Sequence, residues 1–368
     1  MSLDLGGCYK IKFKAVLELV AANSCSLHVL RLQRSTNDVL DDGVDVDSDL
    51  YNDIDFYGHK SGELEALLQA APALQVLEAD LSPSYTIVGD DVRPLTPLLR
   101  REGVFKPLRL GHLYADVQDE DELLELLGCV ADTSMLSGLK LCSSTLHLPA
   151  VLDAVVDAVV ASKLALLTLY QCDLGPASAT ALVRLLSSPT MTRLCIAFDG
   201  STMLFNEDAA VLLANALRTN RTLTSLEFTN CDLWRAPAAG AALLSSLVAH
   251  PSLRALTWYE EYIFQRHPAA LASNVLHALL AADAPALKFL WLGALGEDGL
   301  GPLLDALPRN THLHTLLFDL IGLSDVFVHD RMLPAVRANT SLRQLLSRET
   351  WTGFKGRTLS RSCSRQPC

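Results

Sequence analysis

Eight aspartates crowd into the stretch DVLDDGVDVDSDLYNDID, residues 38–55, and no basic residue stands among them. Closely spaced carboxylates are the ligands of a calcium loop, and Asp45, Asp47 and Asp49 match its first, third and fifth ligand positions. Leu50 then stands where the sharp turn needs glycine, and Phe56 where the closing bidentate glutamate belongs. The spacing therefore predicts a solvated insertion kept open by self-repulsion, an acidic lip for a basic partner rather than a metal site.

Other chemistries fare no better. GHKSGE (Gly58 to Glu63) has the Lys-Ser pair of a phosphate loop, but His59 and Ile54 occupy the places of its two glycines. No GxSxG elbow, HExxH pair or dinucleotide GxGxxG is present. Nine cysteines are scattered without a CxxC pair, which reads as free thiols in a reducing compartment. Cys172 and Cys231 read as small buried hydrophobes rather than reactive thiols. The ten histidines form no cluster that the sequence places together. The expectation is a chain without cofactor or metal that is not itself an enzyme.

What, then, does the chain position? At 368 residues, half of them hydrophobic, it exceeds the roughly 250 to 300 residues at which one globular core stops growing, so it must divide or elongate. A net charge of -12 repels phosphate backbones and anionic lipid, which argues against nucleic acid and membrane surfaces and for a basic protein partner. Glu18 interrupts the short apolar stretch Ala15 to Ala22, and no stretch reaches a membrane-spanning length. A cytoplasmic location is expected.

Self-similarity answers the question. LALLTLYQCDL (Leu164 to Leu174) and LTSLEFTNCDL (Leu223 to Leu233) share the frame LxxLxLxxCxL, with Phe for one Leu. Weaker copies start at Leu27, Leu74, Leu110, Leu136, Met191, Leu253, Leu287, Leu313 and Leu342, making eleven units. Start-to-start spacings run from 26 to 36 residues except the first, 47, which contains the acidic insertion. Between the strand phrases the periodicity turns helical. NEDAAVLLANALRTN (Asn206 to Asn220) places Ala209, Leu212, Leu213, Ala216 and Leu217 on one face. Gly62 to Ala70 is the helix of the first unit. One strand and one helix cannot bury their apolar faces alone, so the units must stack and share a core.

The frame and the helix in nearly every unit resemble the leucine-rich repeat proteins of the ribonuclease-inhibitor-like class, over roughly residues 25 to 347. The resemblance implies an α/β solenoid, a horseshoe of about eleven strand-helix units with parallel strands on the concave face and helices on the convex face. One repeat domain, 1–347, is expected. Residues 1–26 form its N-terminal cap, with a helix over Ile11 to Ala22, and 37–60 form the acidic insertion. The basic tail 348–368 is expected to lack order, and it carries two Arg-x-x-Ser spacings, Arg357 to Ser360 and Arg361 to Ser364, that suit a basophilic kinase.

In a strand successive side chains alternate faces. With the frame leucines inward, the open face carries a row from Arg31 through Glu78, Tyr114, Lys140, Thr168, Cys195, Glu227, Thr257, Trp291 and Leu317 to Leu346. A second row passes through Asp80, Asp116, Cys142, Tyr170, Thr229 and Tyr259. Tyr114, Tyr170, Tyr259 and Trp291, rimmed by Asp80, Asp116, Glu227 and Glu260, are the candidate partner-binding residues, since exposed Tyr and Trp dominate binding hot spots. The expected function is a non-enzymatic protein-protein interaction module. The class implies two alternatives: a regulator of another enzyme, activating a small GTPase or inhibiting a nuclease, or the substrate receptor of a ubiquitin ligase.

Overall fold

Residues 1–5, 13–31, 66–67, 69–81, 109–132, 136–172, 174, 176–198, 207–229, 237–259, 269–293, 295–319 and 323–348 are described in a computed structural model. The calcium-like stretch 38–55, the phosphate-loop look-alike and the tail serines lie outside them. The chain forms two compact units, Met1–Asp173 with Thr190–Thr192, and Leu174–Pro189 with Arg193–Cys368.

The first unit is an α/β assembly on parallel strands β1 (Ser2–Asp4), β2 (Val29–Arg31), β3 (Val76–Leu81), β4 (Arg109–Asp116), β5 (Gly138–Cys142) and β6 (Leu166–Cys172), neighbours in chain order. Helices alternate with them: α1 (Phe13–Ala22), helical residues at 66–67 and 69–70, α2 (Glu120–Ala131) and α3 (Pro149–Ser162). β1 was not foreseen. The first 26 residues hold a strand as well as a helix, and Leu3 pairs with Leu30 in register. Local chemistry sets the helix ends. Asp119 caps α2, its Oδ1 accepting from the Glu122 amide at 3.0 Å, and three acids in the first turn complement the positive end of the helix dipole. α3 starts on Pro149, whose missing N–H costs nothing there, and stops at Lys163 in the left-handed conformation, φ 57°.

The second unit repeats the plan with β7 (Arg193–Phe198), β8 (Ser225–Thr229), β9 (Ala255–Tyr259), β10 (Phe289–Leu292), β11 (Thr315–Asp319) and β12 (Gln344–Arg348), again parallel neighbours in chain order. Its helices are α4 (Ala179–Leu186), α5 (Glu207–Thr219), α6 (Pro237–Leu247), α7 (Ala269–Ala281) and α8 (Gly296–Ala306). A last helical passage runs from Asp325 through a π turn, Val328–Met332, into Leu333–Ala338. No helix among the described residues is long and apolar enough to cross a membrane.

Register builds the core. Leu194, Leu226, Leu256, Leu290, Leu316 and Leu345 pair strand to strand in one line. Two residues further along each strand, Ile196, Phe228, Trp258 and Leu292 form a second buried line, in which Phe228 and Trp258 meet edge to face at 5.8 Å between ring centres. The helices close this face. In α5 the buried arc is Ala209, Ala210, Leu213, Ala214, Ala216 and Leu217, while Leu212, expected inside, is 49% exposed. Flanking helices on both sides move the buried arc toward Ala210 and Ala214, which leaves Leu212 just beyond its edge.

A polar ladder ties successive units of the second half together behind the strands. Asn220 donates from Nδ2 to the Leu186 carbonyl (2.5 Å), while its Oδ1 accepts from the amides of Thr222 (2.9 Å) and Leu223 (2.7 Å). Asn310 makes the same three contacts with Leu280, His312 and Leu313, and Asn339 with Leu307, Ser341 and Leu342. Each side chain satisfies a carbonyl left open near the end of the preceding helix, and the amides that start its own strand. Asn220 and Asn339 each open an Asn-x-Ser/Thr glycosylation sequon, and both are buried and hydrogen-bonded through the nitrogen that a sugar would need. His250 holds the corresponding place before β9. Its Nε2 lies 3.1 Å from the Leu217 carbonyl and its Nδ1 accepts from the Leu253 amide at 3.2 Å.

Candidate functional site

Within each unit, strand pairing sets the backbones of the candidate residues in rows. In the first unit, pairing aligns Tyr114, Lys140 and Thr168 in one row and Asp116, Cys142 and Tyr170 in the next. In the second unit, Cys195, Glu227, Thr257 and Trp291 share a row, and Thr229 stands opposite Tyr259. These alignments match the expected rows. Glu260 lies outside the described residues.

Asp80 does not keep its expected place. Leu77 pairs with Leu110 but Asp80 with His112, so β3 carries one more residue than β4 across the same interval. The register itself differs from the expected one: Leu77 stands opposite Leu110, where the frame aligned it with Leu113, so Glu78 does not meet Tyr114, and the bulge then sets Asp80 level with His112 rather than Asp116.

Burial sharpens the picture. Tyr170, Glu227 and Trp291 are half-buried. Thr168 and Thr257, in the same rows, are only 6% and 7% exposed although they point away from the helices, because a short side chain between longer row neighbours is shaded by them. Leu317, beside Trp291, is buried as well. The face is thus a relief of tall aromatic and charged side chains over small, shaded floors.

One constellation of polar side chains was not legible in the sequence. His312 Nδ1 lies 3.0 Å from Asp283 Oδ1, and Thr311 donates its hydroxyl to Asp283 Oδ2 at 2.7 Å and its amide to Oδ1 at 2.7 Å. A nucleophilic triad needs the hydroxyl on the imidazole nitrogen opposite the carboxylate. Here hydroxyl and carboxylate meet the same Nδ1, and the hydroxyl proton goes to the carboxylate, so the group is a clasp between units. Burial pushes the Asp283 carboxyl up, but the Thr311 and His312 hydrogen bonds and the His312 charge outweigh it and hold the group below its ordinary value. Asp283 itself has φ 47°, which ends the passage after α7. A Thr-His pair beside the ladder asparagine, one repeat after an Asp, was the only signal available in the sequence.

Among the described residues no three His, Cys, Asp or Glu side chains converge as a metal site. Cys129 and Cys142 are buried thiols, Cys25 is exposed, and Cys195 is half-buried beside Glu227. Cys172 closes β6, and Cys231 lies outside the described residues. No family model matches the chain, and no curated protein matches it significantly.

Proposed function

We propose that the chain is a leucine-rich repeat protein of the ribonuclease-inhibitor-like class, a horseshoe of about eleven strand-helix units, and that it serves as a non-enzymatic interaction module. The face of the strands holds a protein partner of basic character. What supports the class is the in-register stacking of the frame leucines over parallel strands that alternate with helices in each unit.

The observation that carries the function is the alternation itself. Strands β5 to β11 spend their inward positions on the core, while rows such as Glu227, Thr257 and Trp291 are turned away from the helices. A preformed surface of this kind binds by shape and charge, without folding cost at the moment of contact, and a stable complex would bury about 800 Å² on this side. A cytoplasmic location belongs to the same reading, with the described cysteines as free thiols.

Affinity purification followed by mass spectrometry tests it, comparing the wild-type chain with a Tyr170→Ala, Trp291→Ala double variant. Loss of a reproducible partner set in the variant, at unchanged fold, is the expected result. An unchanged partner set would remove the face from consideration.

A further inference from the structure

Within the second unit, strand β9 forms the floor of a trough whose two walls differ in chemistry. Two of its outward residues, Ala255 and Thr257, are small and each 7% exposed. On one side, in register, stand Ser225 and Glu227 of β8; on the other, Phe289 and Trp291 of β10. All four wall residues are half-buried, so both walls reach the surface. Strands lie about 4.8 Å apart, which sets the backbones of the two walls about 10 Å from each other. Glu227 is the one acid and Trp291 one of several aromatics on β8, β9 and β10, and none of the three strands carries a basic residue.

A carboxylate and an indole on opposite sides of a shallow apolar floor suit a planar cation. A guanidinium lies flat on an aromatic face, is only weakly hydrated, and presents its edge to a carboxylate in a two-pronged hydrogen bond. An ammonium matches the charge but not the plane. Burial of the floor adds to the fit, since a cation held above Thr257 and Ala255 is partly removed from water, which strengthens both contacts. The excess of negative charge over the whole chain brings such a group in.

We propose that the β8–β10 trough is a docking site for an arginine side chain of the protein partner, stacked on Trp291 and paired with Glu227. This deepens the interaction reading above and rests on it.

The test is a titration of the full chain with a nona-arginine peptide and, separately, a nona-lysine peptide, at low and at physiological salt. The arginine peptide is expected to bind more tightly, and to retain its advantage at physiological salt, where point-charge attraction is screened. Glu227→Gln, which keeps the shape of the side chain, is expected to weaken it about tenfold, and Trp291→Leu by a similar factor. Trp291→Phe keeps a ring and controls for packing; it should retain part of the binding. Asp153→Asn, on α3, should change nothing. Equal binding of both peptides, or an unchanged affinity in Glu227→Gln, would overturn the arginine site. That outcome leaves the interaction face standing if the Tyr170, Trp291 double variant still loses its partners, so the two readings fail separately.

Discussion

At the scale of the residue, His250 is the most informative position. It occupies a ladder place that Asn220, Asn310 and Asn339 fill elsewhere, and it does so by presenting the same pair of functions, one donor and one acceptor. The mimicry requires a neutral ring, with the proton on Nε2 toward Leu217 and a lone pair on Nδ1 for the Leu253 amide. Burial lowers its pKa below the ordinary 6.5; the Leu217 hydrogen bond opposes this and the nearby Arg221 charge reinforces it. Above 6.5 the ring is neutral in folded and unfolded chains alike, and stability is insensitive to it. As pH falls through 6.5 the unfolded chain takes up a proton that the folded ring refuses, so stability drops until the lower folded value is passed. Thermal melts between pH 7.5 and 5 should therefore show an acid loss that His250→Asn reduces, while leaving stability at pH 7.5 nearly unchanged. Equal acid loss in both proteins would assign the effect to other groups. The sequence held the clue: NRTL, HPSL, NTHL and NTSL stand before β8, β9, β11 and β12, with histidine once in the place of asparagine.

At the scale of the element, the leucines of the strands were readable because a period of two, repeated many times, leaves only one register that buries them. Three features were not readable, each for a physical reason. β1 is three residues long and lacks the repeat phrase, so only its pairing with β2 reveals it. The register of β3 on β4, with its bulge, shows only in their pairing, because Leu110 and Leu113 stand three residues apart and period two does not choose between them. The burial of Thr168 and Thr257 depends on the reach of neighbours on other strands, which no single segment encodes. Helix faces are the intermediate case. Leu212 and Leu213 are adjacent and identical in chemistry, yet the first is exposed and the second buried, because α5 packs against helices on two sides. Leu213→Ala should cost about 2 to 4 kcal/mol, and Leu212→Gln less than about 0.5 kcal/mol. Denaturant unfolding of both variants checks the contrast, and similar losses would refute the assigned rotation of α5.

At the scale of the whole molecule, the order of the strands fixes how a disturbance travels. A globular core shares each buried residue among distant parts of the chain, so a cavity weakens the domain as one body. In the second unit β8 to β11 each pair with the strand before and the strand after in sequence, and the helices contact their sequence neighbours most. Stability in such an array is a sum of units and nearest-neighbour interfaces. Leu256 lies fully buried at the middle of the leucine line, between Leu226 and Leu290. Truncating it to alanine removes contacts from both neighbours and leaves a cavity there, while β12, two strands further along from β10, loses none directly. Hydrogen exchange of Leu256→Ala should therefore quicken most in β8, β9 and β10, less in β11, and least in β12. The graded response separates an elongating array, in which recognition can be spread along the rows, from a single cooperative core. Uniform quickening across β7 to β12 would contradict the nearest-neighbour picture, and with it the expectation that a change on one strand of the open face leaves distant strands of the same unit fit to bind.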